Sequence, residues 1–97
     1  MKKNHTVCVT FQCKPECAEV FEDLMQSVRT DLPNVAGCQG VRVLRHQDDA
    51  LTYTLIEDWT EQERHEKHIQ GLVASGAWAN IEAMLAVAPT SNVAIDI

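Results

Sequence analysis

The chain has 97 residues, 45% of them hydrophobic, which suffices for one small core and leaves no room for a second domain. Its net charge of −6, with the few lysines and arginines scattered along the chain, argues against a nucleic-acid backbone or an anionic membrane surface as partner. No apolar run approaches the roughly 20 residues of a membrane span, and the basic start runs into a polar-alternating strand instead of a signal-type apolar stretch, so a cytoplasmic protein is expected.

Residues 5–13 alternate Val7, Val9 and Phe11 with Thr6, Cys8, Thr10 and Gln12, the pattern of a half-buried strand. Pro15 then suits the first position of a helix. Residues 16–32 carry Val20, Phe21, Leu24, Met25 and Val28 at spacings of three and four, which predicts a helix with one apolar stripe. Glu16, Glu19, Glu22 and Asp23 load its first half with charge that favours the helix dipole. Pro33-Asn34 stops it and Gly37 marks a turn. Cys38–His46 reads as a second strand, with Gly40 pointing to a bulge or a close backbone approach. A loop over residues 47–50 leads into a third strand over 51–59, forming a hairpin. Thr60 is a candidate N-cap, with Glu63 completing a capping box, for a helix running to about Gln70. Gly71 and Ser75-Gly76 interrupt that helix. A second piece over 77–87 places Trp78, Ile81, Met84 and Leu85 on one face. After Pro89, residues 90–97 alternate as a last strand.

The order β-α-β-β-α-β predicts an α+β, ferredoxin-like fold, with an antiparallel sheet and both helices on one face. The opposite sheet face carries Thr10, Leu44 and Ile56, which are not strongly polar, so a homodimer joined through that face is expected. Cys8, Cys13, Cys17 and Cys38 read as free thiols and small buried hydrophobes. Cys13 and Cys17 lack the second C-x-x-C pair of a zinc site.

The stretch from Leu51 to His68 concentrates the chemistry. Glu57 and Trp59 share the alternation phase of Leu51, Tyr53 and Leu55, so a carboxylate and an indole sit on an otherwise apolar strand face. Buried polar groups need partners, and His65 and His68 follow on the next helix. This segment resembles the antibiotic biosynthesis monooxygenase family of dimeric ferredoxin-like α/β barrels. The matching features are Gly37-Cys38 opening the second strand, an acidic loop, a strand ending Glu57-Asp58-Trp59, and His68 nine residues beyond Trp59. Lys14-Pro15 with Phe21 matches the strand-to-helix entry, and the resemblance covers nearly the whole chain.

The resemblance implies a homodimer with a pocket between helices and sheet in each subunit. It also implies oxygenation of a phenolic or quinol-type aromatic small molecule by O2, with no metal, flavin or other cofactor. That chemistry needs an apolar cavity, a base for a phenolic proton and a donor to the developing oxyanion. His68 is the candidate base, and Glu57 the carboxylate that would orient an imidazole. Trp59, Trp78, Tyr53 and His65 are candidate substrate-binding residues. Other members of the family degrade haem or isomerise a small metabolite. An isomerase and a non-catalytic binding domain are therefore the alternatives.

The chain departs from the family pattern in places. Arg64-His65 stands where an Ala-Leu pair is usual, and Glu16 where a Gly commonly follows the Pro. The first strand holds no Asn, and His68 stands where the haem-degrading branch has a Trp, which disfavours haem degradation. Simpler readings exist for the same residues. Glu57 could cap a backbone group or pair with Arg42 or Arg45, and Trp59, Trp78 and His68 could be ordinary core. The H-x-x-H pair of His65 and His68 could ligate a metal with Glu57, but no fourth ligand is evident.

Overall fold

The computed structural model describes residues 4–97. Strands β1 (His5–Gln12), β2 (Cys38–His46), β3 (Asp49–Trp59) and β4 (Thr90–Ala94) form one antiparallel sheet in the order β2-β3-β1-β4. Helices α1 (Ala18–Asp31), α2 (Gln62–Ser75) and the short α3 (Ala77–Ala83) complete the α+β, ferredoxin-like arrangement expected from the sequence. No helix among the described residues is long and apolar enough to cross a membrane.

The period-two pattern decides which side of the sheet is covered. Val7, Val9 and Phe11 of β1 and Tyr53, Leu55, Glu57 and Trp59 of β3 are buried, while their neighbours along each strand are only partly covered. Phe21 and Met25 of α1 lock onto this face. Phe21 meets Phe11 edge-on with ring centroids 5.9 Å apart and lies 5.5 Å from the Tyr53 ring. Arg45 of β2 is bonded to Glu22 of α1 at 2.8 Å and lies over the Tyr53 ring. On the opposite face Thr10 and Ile56 are half-buried and Leu44 is exposed. Thr10 and Thr54 share a hydrogen bond there, and Thr6 donates to Asp58.

Several element ends differ from the sequence expectation. The first helix is split: 3₁₀ turns at Pro15–Cys17 and Leu32–Asn34 flank α1, each with its proline in the first turn. Asp49 belongs to β3, because its carboxylate accepts the Leu51 N–H and the Thr52 hydroxyl and tightens the hairpin to the two residues Gln47-Asp48. Thr60 is not the N-cap of α2. Its N–H donates to the Gly37 carbonyl at 2.8 Å, and the next residue, Glu61, whose backbone is extended, is the N-cap and makes no side-chain cap. α2 also continues through Gly71 to Ser75. A mid-helix glycine costs about 1 kcal/mol, too little to stop a helix that half-buries Ile69 and Leu72 on the cavity side. The true stop is Gly76 at φ +85°, the left-handed C-cap geometry that glycine adopts freely. α3 ends at Ala83 because Lys14 N–H bonds the Met84 carbonyl and Ala86 N–H bonds the Gln12 carbonyl, drawing the chain alongside the end of β1. β4 ends at Ala94, where its pairing with Thr6 stops.

Gly40 does mark a register shift in β2, between Cys38 and Gly40. Gly37 has φ +91°, and a side chain there would overlap Cβ, Cγ and Cδ of Arg64. Gly37→Ala is therefore expected to cost about 1–3 kcal/mol from backbone strain alone, measured by urea denaturation. A loss under about 0.5 kcal/mol, the ordinary range of a surface change, would show that the turn relaxes.

Candidate functional site

A cavity of about 620 Å³ lies between the sheet and the three helices. That is within the roughly 300–1,000 Å³ typical of small-molecule sites. Its floor is Val7, Val9, Phe11, Leu55 and Glu57. α1 contributes Met25 and Val28, α2 contributes His65, His68, Ile69 and Leu72, and α3 contributes Trp78 and Ile81. The helices can face it because α2 and α3 turn sharply at Gly76, which brings Trp78 over Phe11 at 6.3 Å between ring centroids.

Glu57 is the buried acidic residue of this face, 7% exposed. Its side-chain bond is to an indole: Trp59 Nε1 donates to Glu57 Oε1 at 3.0 Å. It pairs with neither Arg42 nor Arg45, since Arg45 is engaged by Glu22. Burial pushes the Glu57 carboxyl above its ordinary 4.5, and the indole N–H partly offsets this. Trp59 itself is 0% exposed and stands behind the cavity wall. Its ring backs His65 at 5.5 Å and His68 at 5.3 Å between centroids.

His65 and His68 both reach the cavity, one helical turn apart. Burial holds His68 below the ordinary 6.5. Burial does the same for His65, helped by the repulsion of His5 and His68. At neutral pH both imidazoles are thus uncharged, each with one donor and one acceptor nitrogen. Tyr53 is not brought to this cavity. It lies two residues beyond Leu55, under the Arg45 guanidinium, at a separate pocket of about 150 Å³ lined also by Glu22, Gln26 and Arg29.

No pattern in the sequence singles out His5, yet its ring lies 5.8 Å from His65. The register of β1 against β3, which pairs His5 with Trp59, is the signal that would have found it. The α1 wall of the cavity was also missed, because its residues look like ordinary core stripe. Among the described residues, no three His, Cys, Asp or Glu side chains are grouped to hold a metal ion. All four cysteines are free, and burial raises the thiols of Cys13 and Cys38.

The shifts give a pH dependence with a definite sign. Below 6.5 the unfolded chain protonates His65 and His68 while the folded one resists, so the stability they contribute is lost as pH falls. Glu57 acts oppositely, losing stability as pH rises above 4.5 toward its raised value. Denaturation midpoints should therefore fall less steeply on acidification through 6.5 in a His65→Gln/His68→Gln variant, and more steeply on acidification toward 4.5 in Glu57→Gln. Unchanged slopes would show that these groups do not carry the effect.

Comparison with known proteins bears on what the cavity serves. PA3566 from Pseudomonas aeruginosa aligns over 100% of this chain and 97% of its own, with 20% identity and a TM-score of 0.85. A structure described as an antibiotic biosynthesis monooxygenase aligns over 96% and 98%, with 16% identity and a TM-score of 0.84. Rv0793 from Mycobacterium tuberculosis aligns over 97% and 95%, with 15% identity and a TM-score of 0.83. At these identities the likeness is one of fold. No curated protein gives a significant sequence match. The sequence model described as antibiotic biosynthesis monooxygenase does match, over residues 4–87, taking in the floor of the cavity, α1 and both histidines. With nearly all its elements inside that match, the chain belongs to the antibiotic biosynthesis monooxygenase family.

Proposed function

We propose that the protein is a cofactor-independent monooxygenase acting on a phenolic or quinol-type ring compound. The observation that carries this reading is the position of His68, an imidazole held neutral by burial on the wall of a mostly apolar cavity. A neutral imidazole takes the phenolic proton, and the phenolate so formed is rich enough in electrons to reduce dioxygen. In a phenol one oxygen atom enters the ring as a second carbonyl, and in a quinol it enters as a third ring oxygen. The other leaves as water, with the two hydrogens that the substrate gives up. Trp78 and Phe11 offer aromatic faces to the ring. Glu57 is a positioning residue: it holds the Trp59 indole, which in turn backs both histidines. The uncovered face bearing Leu44, Ile56 and Thr10 supports a homodimer joined sheet to sheet, which sedimentation would test.

The decisive measurement is dioxygen uptake with a panel of quinols and naphthols. Uptake coupled one-to-one to a quinone with one oxygen atom more than its substrate, and without hydrogen peroxide, is expected for at least one of them. No uptake across the panel, with binding retained, would replace this reading by a second. That second reading is proton transfer alone, as in an isomerase, which the opposed shifts of Glu57 and His68 also support.

A further inference from the structure

We propose that the cavity selects uncharged ring compounds and rejects those carrying a carboxylate, phosphate or sulfate. The inference rests on the same cavity being the binding site and names the class of ligand that it takes. Among the described residues, its wall holds two carboxyl groups, Asp31 and Glu57, and no lysine or arginine. Asp31 is exposed at the rim, at the last residue of α1, so an approaching anion meets a negative charge first. Further in, the wall is mostly aliphatic and aromatic, and an anion buried there would go unpaired. Basic residues that could have served are engaged elsewhere: Arg45 with Glu22, and Arg64 packed over Gly37 and paired with Glu61. What remains for a ligand's polar end is uncharged: the imidazoles of His65 and His68 further in, with Ser27, Asn80 and Ser91 also on the wall, groups that donate to or accept from a hydroxyl or carbonyl without adding charge. The negative charge that oxygenation requires would be made inside, by proton transfer to His68, and so arrives with its counterion.

Three probes of one ring system test this under anaerobic conditions, where turnover cannot interfere: 2-naphthol, 2-naphthamide and 2-naphthoate. Binding is read at neutral pH by calorimetry. Naphthol and naphthamide should bind at least about tenfold more tightly than naphthoate, the carboxylate isostere of the amide, as expected for an unpaired buried charge. Asp31→Lys should tighten naphthoate severalfold and leave naphthamide unchanged. A lysine at this exposed helix end also favours the helix dipole, so the variant should fold. Naphthoate binding as tightly as naphthamide, an unresponsive Asp31→Lys variant, or no binding of either neutral probe each overturns the proposal. The oxygenase reading fails separately. Charge selection with no dioxygen uptake across the quinol panel leaves selection standing, and uptake without charge selection leaves the oxygenase standing.

Discussion

Trp59→Ala should cost about 3–5 kcal/mol of stability, the range for deleting a fully buried large aromatic side chain. Trp59 is 0% exposed and packs with Val7 and Leu32 in its own core cluster. It is also the donor that satisfies Glu57. Removing it opens a void and leaves a carboxyl group, 7% exposed, without that partner. Two milder variants separate these effects. Trp59→Phe keeps most of the ring but deletes the donor, and should cost about 1.5–3 kcal/mol, typical of a hydrogen bond to a charged group. Glu57→Gln retains an acceptor and should cost less. In the cycle joining Glu57→Gln to Trp59→Phe, a coupling of about 0.5–3 kcal/mol is expected for two groups in direct contact. Urea denaturation at constant m reads all four proteins. A coupling indistinguishable from zero would mean that the bond between them does not hold the indole, and Glu57 would lose its positioning role.

This pair also shows where sequence reasoning succeeds and where it stops. Alternation along residues 51–59 places Tyr53, Leu55, Glu57 and Trp59 on one side of the sheet, and the structure has them there. Sharing a face is not the same as sharing a cavity. The cavity spans only Leu55 and Glu57 of that row, while Phe21 and Arg45 cover Tyr53, and Trp59 is sealed behind the two histidines. A period of two cannot report such boundaries, because tertiary neighbours set them. The same limit governs the helix ends. Thr60 has the chemistry of an N-cap, but its N–H is claimed by Gly37, 23 residues back along the chain. Gly71 has the chemistry of a breaker, but the partial burial of Ile69 and Leu72 on either side of it outweighs its cost. Local preference yields to packing at both places. It prevails at Gly76, where no residue with a side chain adopts the required geometry as cheaply.

His68→Phe should lower kcat for oxygenation by about 10²–10⁴-fold, the usual contribution of a positioned general base. Phenylalanine is the informative replacement because it keeps a flat ring against Trp59, which lies 5.3 Å away, and keeps the cavity wall apolar. What it removes is the nitrogen proposed to accept the proton. KM should change little, and the denaturation midpoint should hold or rise, since a partly buried polar ring is exchanged for an apolar one. His65→Phe provides the contrast, because His65 reaches the same wall but is flanked by His5 and Trp59. Its loss should be the smaller one. The pH profile gives a second, independent reading. Burial holds His68 below 6.5, so the acid limb of kcat/KM in the wild type should lie below that value and not at it. In His68→Phe that limb should disappear with the rate. If His68→Phe retains a rate within a few-fold of wild type while His65→Phe does not, the base is His65. If both retain it, the cavity binds its ligand without supplying the base, and the phenol must ionise before it enters.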